Sequence, residues 1–254
     1  MRRKTASTSN YLGELAIVVG GGLAGLSAAR VLSDRFREIL ILDRDGLPDS
    51  ATPRPGVPQG KHPHGLLGGG LKALEQLFPG FGNELRQAGA VQIDRGFDIL
   101  FEIPGQDPWP RINFDWPTYT MSRPLLELTL RRRVQRLTNV KVQGRCRVLN
   151  IIGESNTGAA TGICYRTADD TVRTLQSDLI VDASGNGSLT LDFLKATGRT
   201  LPEETSIGVN MRYASALSIR PTSGIITNLL TPCPMRLKKV EAALSSRQKM
   251  EVTR

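Results

Sequence analysis

Three glycines near the N-terminus have the spacing of a dinucleotide-binding turn. Gly20, Gly22 and Gly25 follow the apolar run 15–19 and begin a segment with helical periodicity. In such a turn the first glycine permits the sharp change from strand to helix, the second lets the backbone approach a pyrophosphate, and the third lets the helix pack closely on the strand. Unpaired N–H groups at the start of the helix bind the phosphates. The spacing therefore predicts a pyrophosphate site formed by backbone geometry.

An acidic residue completes this pattern. Asp43 follows the second apolar run, 39–42, and stands 18 residues after Gly25. A carboxylate here accepts hydrogen bonds from ribose hydroxyls, and an acid followed by Arg44 favours an adenosine ribose without a 2′-phosphate. The alternative interpretation is a buried turn that binds no ligand. With 26 glycines in the chain a glycine pattern alone is weak evidence, but the agreement of strand, helix and acid favours the dinucleotide site.

Composition and charge restrict the class of protein. The chain has 254 residues, of which 39% are apolar, which suffices for the core of one large domain or two small ones. The formal net charge is +9, but segments 1–10 and 231–254 hold nine of the 33 basic residues and two of the 24 acidic ones. The rest of the chain therefore carries a net charge of +2, and we expect no nucleic-acid binding.

The cysteines and histidines do not form a metal-binding or disulfide pattern. Cys146, Cys164 and Cys233 are too few and too scattered for either. His62 and His64 lack a cysteine or acid at ligand spacing, so we expect no metal site. Two roles remain open for this pair, a position near a cofactor and a structural role in the loop. We see no signal peptide or membrane span, and expect a cytoplasmic protein.

Periodicity and turn residues predict the elements of the first half of the chain. Four prolines between residues 48 and 58 predict a loop across the surface. Further on, apolar spacing distinguishes helices from strand-like stretches. The expected elements are helices at 71–78 and 83–88, strand-like structure at 96–119, and a helix after Ser122 that carries a solvated arginine face at 131–133.

The second half of the chain reads as a β-meander followed by one more crossover. Short β segments at 140–142, 146–152, 162–166 and 172–176 alternate with turn residues. They lead to a buried strand at 179–182, which ends in Ala183-Ser184-Gly185. The remaining expected elements are a helix up to Gly198, a strand at 207–216, and an amphipathic helix with apolar positions 237, 240, 243 and 244.

Together these features resemble FAD-dependent oxidoreductases of the glutathione-reductase-type fold. Within them the chain is similar to the p-hydroxybenzoate-hydroxylase-like monooxygenases, which are related to flavin-dependent halogenases and isoprenoid reductases. The similarity covers about residues 14–220 and is carried also by the segments 53–67, 75–80 and 121–127. It implies an α/β fold, a FAD/NAD(P)-binding Rossmann-like domain with a β-meander and an incomplete substrate-binding β-sheet. The implied domains are FAD-binding at 12–95 and 120–198, partial substrate-binding at 96–119 and 199–230, and basic tails at 1–11 and 231–254.

The resemblance also assigns cofactor-binding residues, although it identifies no catalytic residue. In the hydroxylases the late strand usually ends in Ala-Asp-Gly, near the cofactor's pyrophosphate. Here Ser184 stands in place of that acid and Asp182 precedes it, a form closer to the halogenase and reductase branches. The residues implied to bind FAD are Gly20, Gly22 and Gly25 at the pyrophosphate, Asp43 at the ribose, Arg44 beside the adenine, Arg123 of the Arg-x-x-Leu motif, and Asp182 and Gly185 of the late turn.

The expected activity is that of an NAD(P)H- and O₂-dependent monooxygenase acting on a small organic or aromatic substrate. A halogenase or isoprenoid reductase is the alternative enzyme, although Trp109 and Trp116 do not form the tryptophan-rich motif of halogenases. The later Gly-Asp motif of the family has no counterpart after Gly198. We therefore expect a truncated member, for which a non-catalytic nucleotide-binding protein is a further alternative. An NAD-only dehydrogenase ranks lower, because the meander and the late turn resemble the FAD-type fold.

Overall fold

The computed structural model shows an α/β fold. It describes residues 11–102, 106–154, 158–185 and 187–208, and beyond them three short strands. The elements in chain order are β1 (Gly13–Val19), α1 (Leu23–Ser33), β2 (Phe36–Leu42), a short 3₁₀-helix (Pro58–Lys61), β3 (Pro63–Leu66), α2 (Gly68–Leu77), α3 (Phe81–Gln87), β4 (Val91–Asp94), β5 (Ile99–Glu102), β6 (Pro117–Ser122), α4 (Arg123–Val134), β7 (Val140–Gln143), β8 (Arg147–Gly153), β9 (Ala160–Arg166), β10 (Val172–Gln176), β11 (Leu179–Asp182), α5 (Ser188–Ala196), β12 (Ser215–Leu217), β13 (Leu229–Pro232) and β14 (Ala242–Leu244).

The chain divides into two compact units. Unit 1 comprises Met1–Asp49, Arg54–Gly56 and Leu130–Glu204, and unit 2 comprises Ser50–Pro53, Val57–Thr129 and Thr205–Arg254. The units differ from the predicted domains in residues 50–53, 57–95 and 120–129, which belong with unit 2, and in residues 199–204, which belong with unit 1. The predicted domain boundaries themselves stay a prediction.

Unit 1 contains a four-stranded parallel sheet in the order β11-β1-β2-β7. β1 lies between β2 and β11, so Val19 is opposite Leu42 on one side and Asp182 on the other. Parallel neighbours need a crossover connection, and α1 provides the one between β1 and β2. Residues 16–18 are fully buried, as expected for a strand covered on both faces. The predicted Rossmann-like sheet is confirmed.

The predicted β-meander is confirmed except for its first member. β8, β9 and β10 form an antiparallel sheet in the order β10-β9-β8. The segment 140–142, which we expected to open the meander, is β7 and pairs in parallel with β2. A strand of four residues carries no apolar pattern that distinguishes the two kinds of pairing. Its preceding helix α4 supplies the crossover that parallel pairing needs.

A shared core joins the parallel sheet to the meander. Ile17 and Leu42 of the sheet pack in one cluster with Ile163 and Tyr165 of β9. Cys146 is buried in the same cluster, and burial raises the pKa of its thiol, as is typical of a structural cysteine. This core supports the strands whose carboxyl ends carry most of the predicted site residues.

Unit 2 has an antiparallel sheet of order β3-β6-β4 and a second sheet of order β12-β14-β13-β5. The helices predicted at 71–78 and 83–88 are confirmed as α2 and α3. Glu75 fixes the turn between them, because its carboxylate accepts hydrogen bonds from the N–H groups of Gly80 (2.8 Å) and Gly82 (2.7 Å).

Three predicted elements differ from the structure. Residues 106–116 of the expected strand-like stretch have no helix or strand, since Pro108 and Pro110 remove the backbone donors that a sheet needs. In the expected strand 207–216, residues 207 and 208 are irregular, β12 begins at Ser215, and the residues between lie outside the described part. The end of the expected amphipathic helix, Ala242–Leu244, is the strand β14, and its earlier positions also lie outside that part.

Arginines at the end of α4 hold the proline-rich loop 46–57. Arg131 is 4% exposed and donates a hydrogen bond to the carbonyl oxygen of Pro48. Arg132 donates to the carbonyl oxygen of Asp49 at 2.8 Å. The expectation of a solvated arginine face is therefore wrong for Arg131. Carbonyls of an irregular loop lack sheet partners, and a guanidinium offers them up to five donors.

The helices in the described residues are short. α4 has 12 residues and α1 has 11, lengths that are typical of helices in globular domains. Within this part of the chain, no helix has the length and apolar character that crossing a membrane requires.

Candidate dinucleotide-binding site

Two of the three glycines of the turn are required by the backbone itself. Gly20 has a φ of +104°, and a Cβ on it would lie 2.4 Å from the carbonyl oxygen of Ala183. A Cβ on Gly25 would lie 1.8 Å from the carbonyl oxygen of Gly20. The turn between β1 and α1 can therefore close only if both positions lack a side chain. This agrees with the packing roles that the spacing predicts for the first and third glycines.

Gly22 is different, because among the described residues no atom closely fills the space beside it. Its φ of −80° is accessible to any residue, and the atom nearest to a Cβ placed on it would be Nη2 of Arg54, at 3.9 Å. Gly22 caps α1, and the N–H groups of a first helical turn have no acceptor within the helix. Together with the helix dipole they favour an anion at this point. The geometry is that of a backbone open to a phosphate group.

Asp43 lies at the end of β2, as predicted, but its carboxylate has protein partners. It is 4% exposed and accepts hydrogen bonds from the N–H groups of Gly21 (2.7 Å) and Asp45 (2.8 Å). Nη1 of Arg54 lies 3.0 Å from each of its two oxygens. These four contacts come from three nitrogens, because Nη1 of Arg54 contacts both oxygens. The contact with Gly21 ties the ribose position of the motif directly to the glycine turn.

Arg54 is the residue of this site that sequence reasoning missed. Its side chain is 9% exposed, and its guanidinium bridges Asp43 and Asp45, with Nη1 3.0 Å from Oδ2 of each. The proline-rich loop was expected only to cross the surface, whereas it delivers this side chain to the glycine turn. A signal was present, since Asp43 and Asp45 stand two residues apart at a strand end and buried acids need a cation nearby. Arg44, between them, is exposed.

The late turn after β11 lies against the glycine turn, since the carbonyl oxygen of Ala183 occupies the space in which a side chain on Gly20 would lie. Asp182 organises it: Oδ1 accepts hydrogen bonds from the N–H (3.0 Å) and hydroxyl (2.6 Å) of Ser184. Oδ2 accepts them from the N–H (3.2 Å) and hydroxyl (2.8 Å) of Thr190 in α5. Burial raises the pKa of Asp182, but these hydrogen bonds outweigh it and the pKa lies below its usual value.

The structure thus brings most of the predicted residues to one edge of the parallel sheet. Gly185 has a φ of +101°, and in the part of the chain that the structure describes no atom lies within 4 Å of its Cβ position, so among these residues its backbone is accessible. The carboxyl ends of parallel strands are where ligands bind in open α/β sheets. The residues assembled there are Gly20, Gly22, Gly25, Asp43, Arg44, Asp182 and Gly185, whereas Arg123 belongs to unit 2.

Arg123 forms a cluster with Glu127 and His64 in unit 2. Its Nε donates to Oε1 of Glu127, which is 5% exposed, at 2.8 Å. Its Nη1 lies 3.4 Å from Nε2 of His64. A guanidinium can only donate, so Nε2 accepts and the imidazole proton is on Nδ1. No group of three or more His, Cys, Asp or Glu side chains in the described residues could hold a metal ion.

We expect His64 to make the stability of the chain depend on pH. Burial and the Arg123 guanidinium lower the pKa of His64 below its ordinary 6.5, against the smaller opposing effect of Glu127. The unfolded chain therefore binds this proton more readily, and stability falls as pH drops below about 6.5. The His64→Gln variant keeps an acceptor for Arg123 without titrating. Urea unfolding from about pH 8 to pH 5 should show a shallower loss in the variant; parallel pH curves would contradict this account.

Sequence comparisons support the interpretation of the turn. Residues 18–71 match the family described as NAD(P)-binding Rossmann-like domain. The protein Rv3254 of Mycobacterium tuberculosis is 33% identical over 210 residues, covering 79% of this chain and 44% of Rv3254. The chain thus spans less than half the length of this relative.

Solved structures share the fold. The myxobacterial chondrochloren halogenase, a variant of the FAD-dependent halogenases, is 26% identical with a TM-score of 0.53, over 68% of this chain and 38% of the halogenase. Aklavinone-11 hydroxylase, solved with FAD and aklavinone, has a TM-score of 0.53 at 19% identity, over 73% of this chain and 35% of the hydroxylase. The expected resemblance to flavin-dependent monooxygenases and halogenases is confirmed.

Proposed function

We propose that this chain, which has the Rossmann-like fold of the flavin-dependent monooxygenases and halogenases, binds FAD and acts as an FAD-dependent oxidoreductase. The observation that carries the proposal is the glycine turn. Gly20 and Gly25 lack side chains because the backbone requires it. At Gly22, by contrast, the one atom within 4 Å of a Cβ position, among the residues that the structure describes, belongs to Arg54. A glycine that the fold does not need, at a helix N-terminus beside a guanidinium, fits the approach of a pyrophosphate.

The other residues of the site fit the ADP half of FAD. The guanidinium of Arg54 offers several N–H donors in a geometry suited to phosphate oxygens. Asp43 lies where a carboxylate accepts hydrogen bonds from ribose hydroxyls. We assign Arg44 to the adenine side, and Asp182 to holding the turn that presents Gly185. Arg123 of unit 2 is proposed as a further cofactor contact on the strength of its motif.

The chain's own residues would bind and orient the cofactor rather than react. FAD supplies the redox chemistry when bound. Backbone N–H groups of α1 and the Arg54 guanidinium neutralise the pyrophosphate, and Asp43 holds the ribose. His64, kept neutral beside Arg123, prevents a second positive charge from arising there. None of these side chains needs to exchange a proton with a substrate.

The ADP-half assignment is tested by comparing three ligands. FAD and ADP contain the pyrophosphate and adenosine that unit 1 is proposed to bind, whereas FMN lacks the adenosine. We expect FAD to bind to the purified apo chain, ADP to compete with it, and FMN to compete at least about 100-fold less well, as measured by quenching of flavin fluorescence. Equal binding of FMN and FAD, or failure of ADP to compete, would contradict the assignment.

The expected reaction is NAD(P)H- and O₂-dependent oxygenation of a small organic substrate. It is tested by oxygen uptake and NADH or NADPH oxidation by the FAD-loaded chain in the presence of electron-rich aromatic compounds. The identity with the chondrochloren halogenase favours halogenation as a second candidate. Mass spectrometry of products formed with and without chloride distinguishes added oxygen from added chlorine. A chain that binds FAD but shows no turnover would be a non-catalytic nucleotide-binding protein.

A further inference from the structure

Three buried charges in unit 1 form what we term the acid–arginine cluster: Asp43, Asp45 and Arg54. The exposed fractions of their side chains are 6%, 8% and 9%, respectively. One nitrogen, Nη1 of Arg54, contacts both acids, whereas Nη2 is the atom that lies beside Gly22. The guanidinium therefore faces two acids with one nitrogen and the glycine turn with the other.

Asp43 and Asp45 differ in what else they hold. Two of the three donors to Asp43 are backbone N–H groups, of Gly21 and Asp45, which the chain keeps in place. Asp45 accepts the N–H of Gly56 at 2.7 Å on the same oxygen, Oδ2, that contacts Arg54. Gly56 stands two residues after Arg54 in the same loop. Asp45 thus anchors both the Arg54 side chain and the backbone that carries it.

A ribose that binds Asp43 must displace one of the groups now around it. The Asp43 side chain is only 6% exposed and three nitrogens already surround it, so a hydroxyl can reach its oxygens only if a neighbouring group moves. The two backbone donors are fixed by the turn, so the exchangeable donor is the Arg54 side chain. A guanidinium released into a buried site without an acid beside it would be costly. Asp45 provides that acid.

We propose that Asp45 is a positioning residue, which retains Arg54 beside Gly22 when the cofactor's ribose takes Asp43. The inference rests on the proposed function. In the empty site Arg54 binds both acids. In the loaded site Asp45 holds one edge of the guanidinium and leaves the other edge directed at the pyrophosphate. When the dinucleotide binds, Arg54 therefore gives up its contact with Asp43 to the ribose and keeps its contact with Asp45.

The test is a double-mutant cycle on FAD affinity. Asp45→Asn removes the charge but keeps an oxygen for the N–H of Gly56, and Arg54→Lys keeps the charge but loses the guanidinium. Asp45→Asn should weaken FAD binding about tenfold in the parent chain and less than about twofold in the Arg54→Lys background. Asp49→Asn, the same change at an exposed position of the same loop, should leave FAD affinity unchanged. Affinity is measured by flavin fluorescence, and folding of each apo chain by thermal unfolding.

A purely structural role for Asp45 gives a different result. It would weaken FAD binding by the same factor in both backgrounds, and that result, or unchanged binding in the Asp45→Asn variant, would overturn the proposal. If Asp45→Asn does not fold, Asp45→Glu keeps the charge and displaces it, and the same dependence on Arg54 is expected. A parent chain that binds neither FAD nor ADP refutes the proposed function itself, which separates that failure from a failure of the cycle.

Discussion

The Gly22→Val variant is expected to fold like the parent chain and to lose at least about 100-fold in FAD affinity. The backbone at Gly22 has an ordinary φ of −80°, and Nη2 of Arg54 is the one atom of the described residues within 4 Å of a Cβ position. A valine therefore fits the empty chain, at a cost of about 1 kcal/mol as a poorer helix cap. Its branched side chain occupies the space in which we place the pyrophosphate, and it shields the first N–H groups of α1.

The variant is assayed by titration of the apo chain with FAD, alongside urea unfolding without ligand. Gly208→Val is a suitable control, since no atom of the described residues lies within 4 Å of a Cβ there, and it should change neither quantity. If Gly22→Val binds FAD as tightly as the parent chain, the pyrophosphate does not lie at this turn. If the variant fails to fold, a side chain at position 22 clashes with the folded chain, and the space beside Gly22 is filled by protein atoms.

The Gly25→Ala variant is expected to show the opposite behaviour, a large loss of stability before any ligand is added. Its Cβ would lie 1.8 Å from the carbonyl oxygen of Gly20 and 3.2 Å from Cγ1 of Val18. α1 must then move away from β1, at the centre of the parallel sheet. We expect a loss of about 3 kcal/mol or more, which corresponds to a melting temperature lower by roughly 6–12 °C.

Thermal unfolding of the apo chain measures this effect. Gly22→Ala is the matched control, because it adds the same single carbon three residues earlier, where the nearest atom is 3.9 Å away. Equal melting temperatures for the two alanine variants would mean that α1 does not pack on the turn as the structure shows. The pair of glycines thus separates a residue needed for folding from one needed for a ligand.

The elements that could be predicted from the sequence are those whose local pattern has one interpretation. β1, α1 and β2 combine an apolar run, a glycine spacing and a terminal acid, and each of these points to the same crossover unit. The pairing of β7 could not be predicted in this way. Its four residues fit either an antiparallel or a parallel neighbour, and the choice depends on a partner strand about 100 residues away in sequence.

The residues of the candidate site also divide into those that the local sequence pattern predicts and those that it does not. Its backbone positions, such as Gly20 and Gly25, follow from spacing, since the constraint lies within one turn. Arg54 does not, because its role depends on where an irregular loop runs, and proline-rich loops have no periodicity. The burial of Arg131 could not be predicted for a related reason, because its hydrogen-bond partner is a carbonyl oxygen of that same loop. Charge balance around Asp43 and Asp45 was the available clue to Arg54.

Whether this chain binds FAD can be measured by the absorption spectrum of the purified protein, followed by identification of any nucleotide released on denaturation. We expect the two-band spectrum of a bound flavin, with FAD as the released compound, either as purified or after reconstitution. Released FAD would place the cofactor on this chain and justify the turnover assays. A protein that stays colourless after incubation with FAD and gel filtration would mean that this chain does not bind FAD.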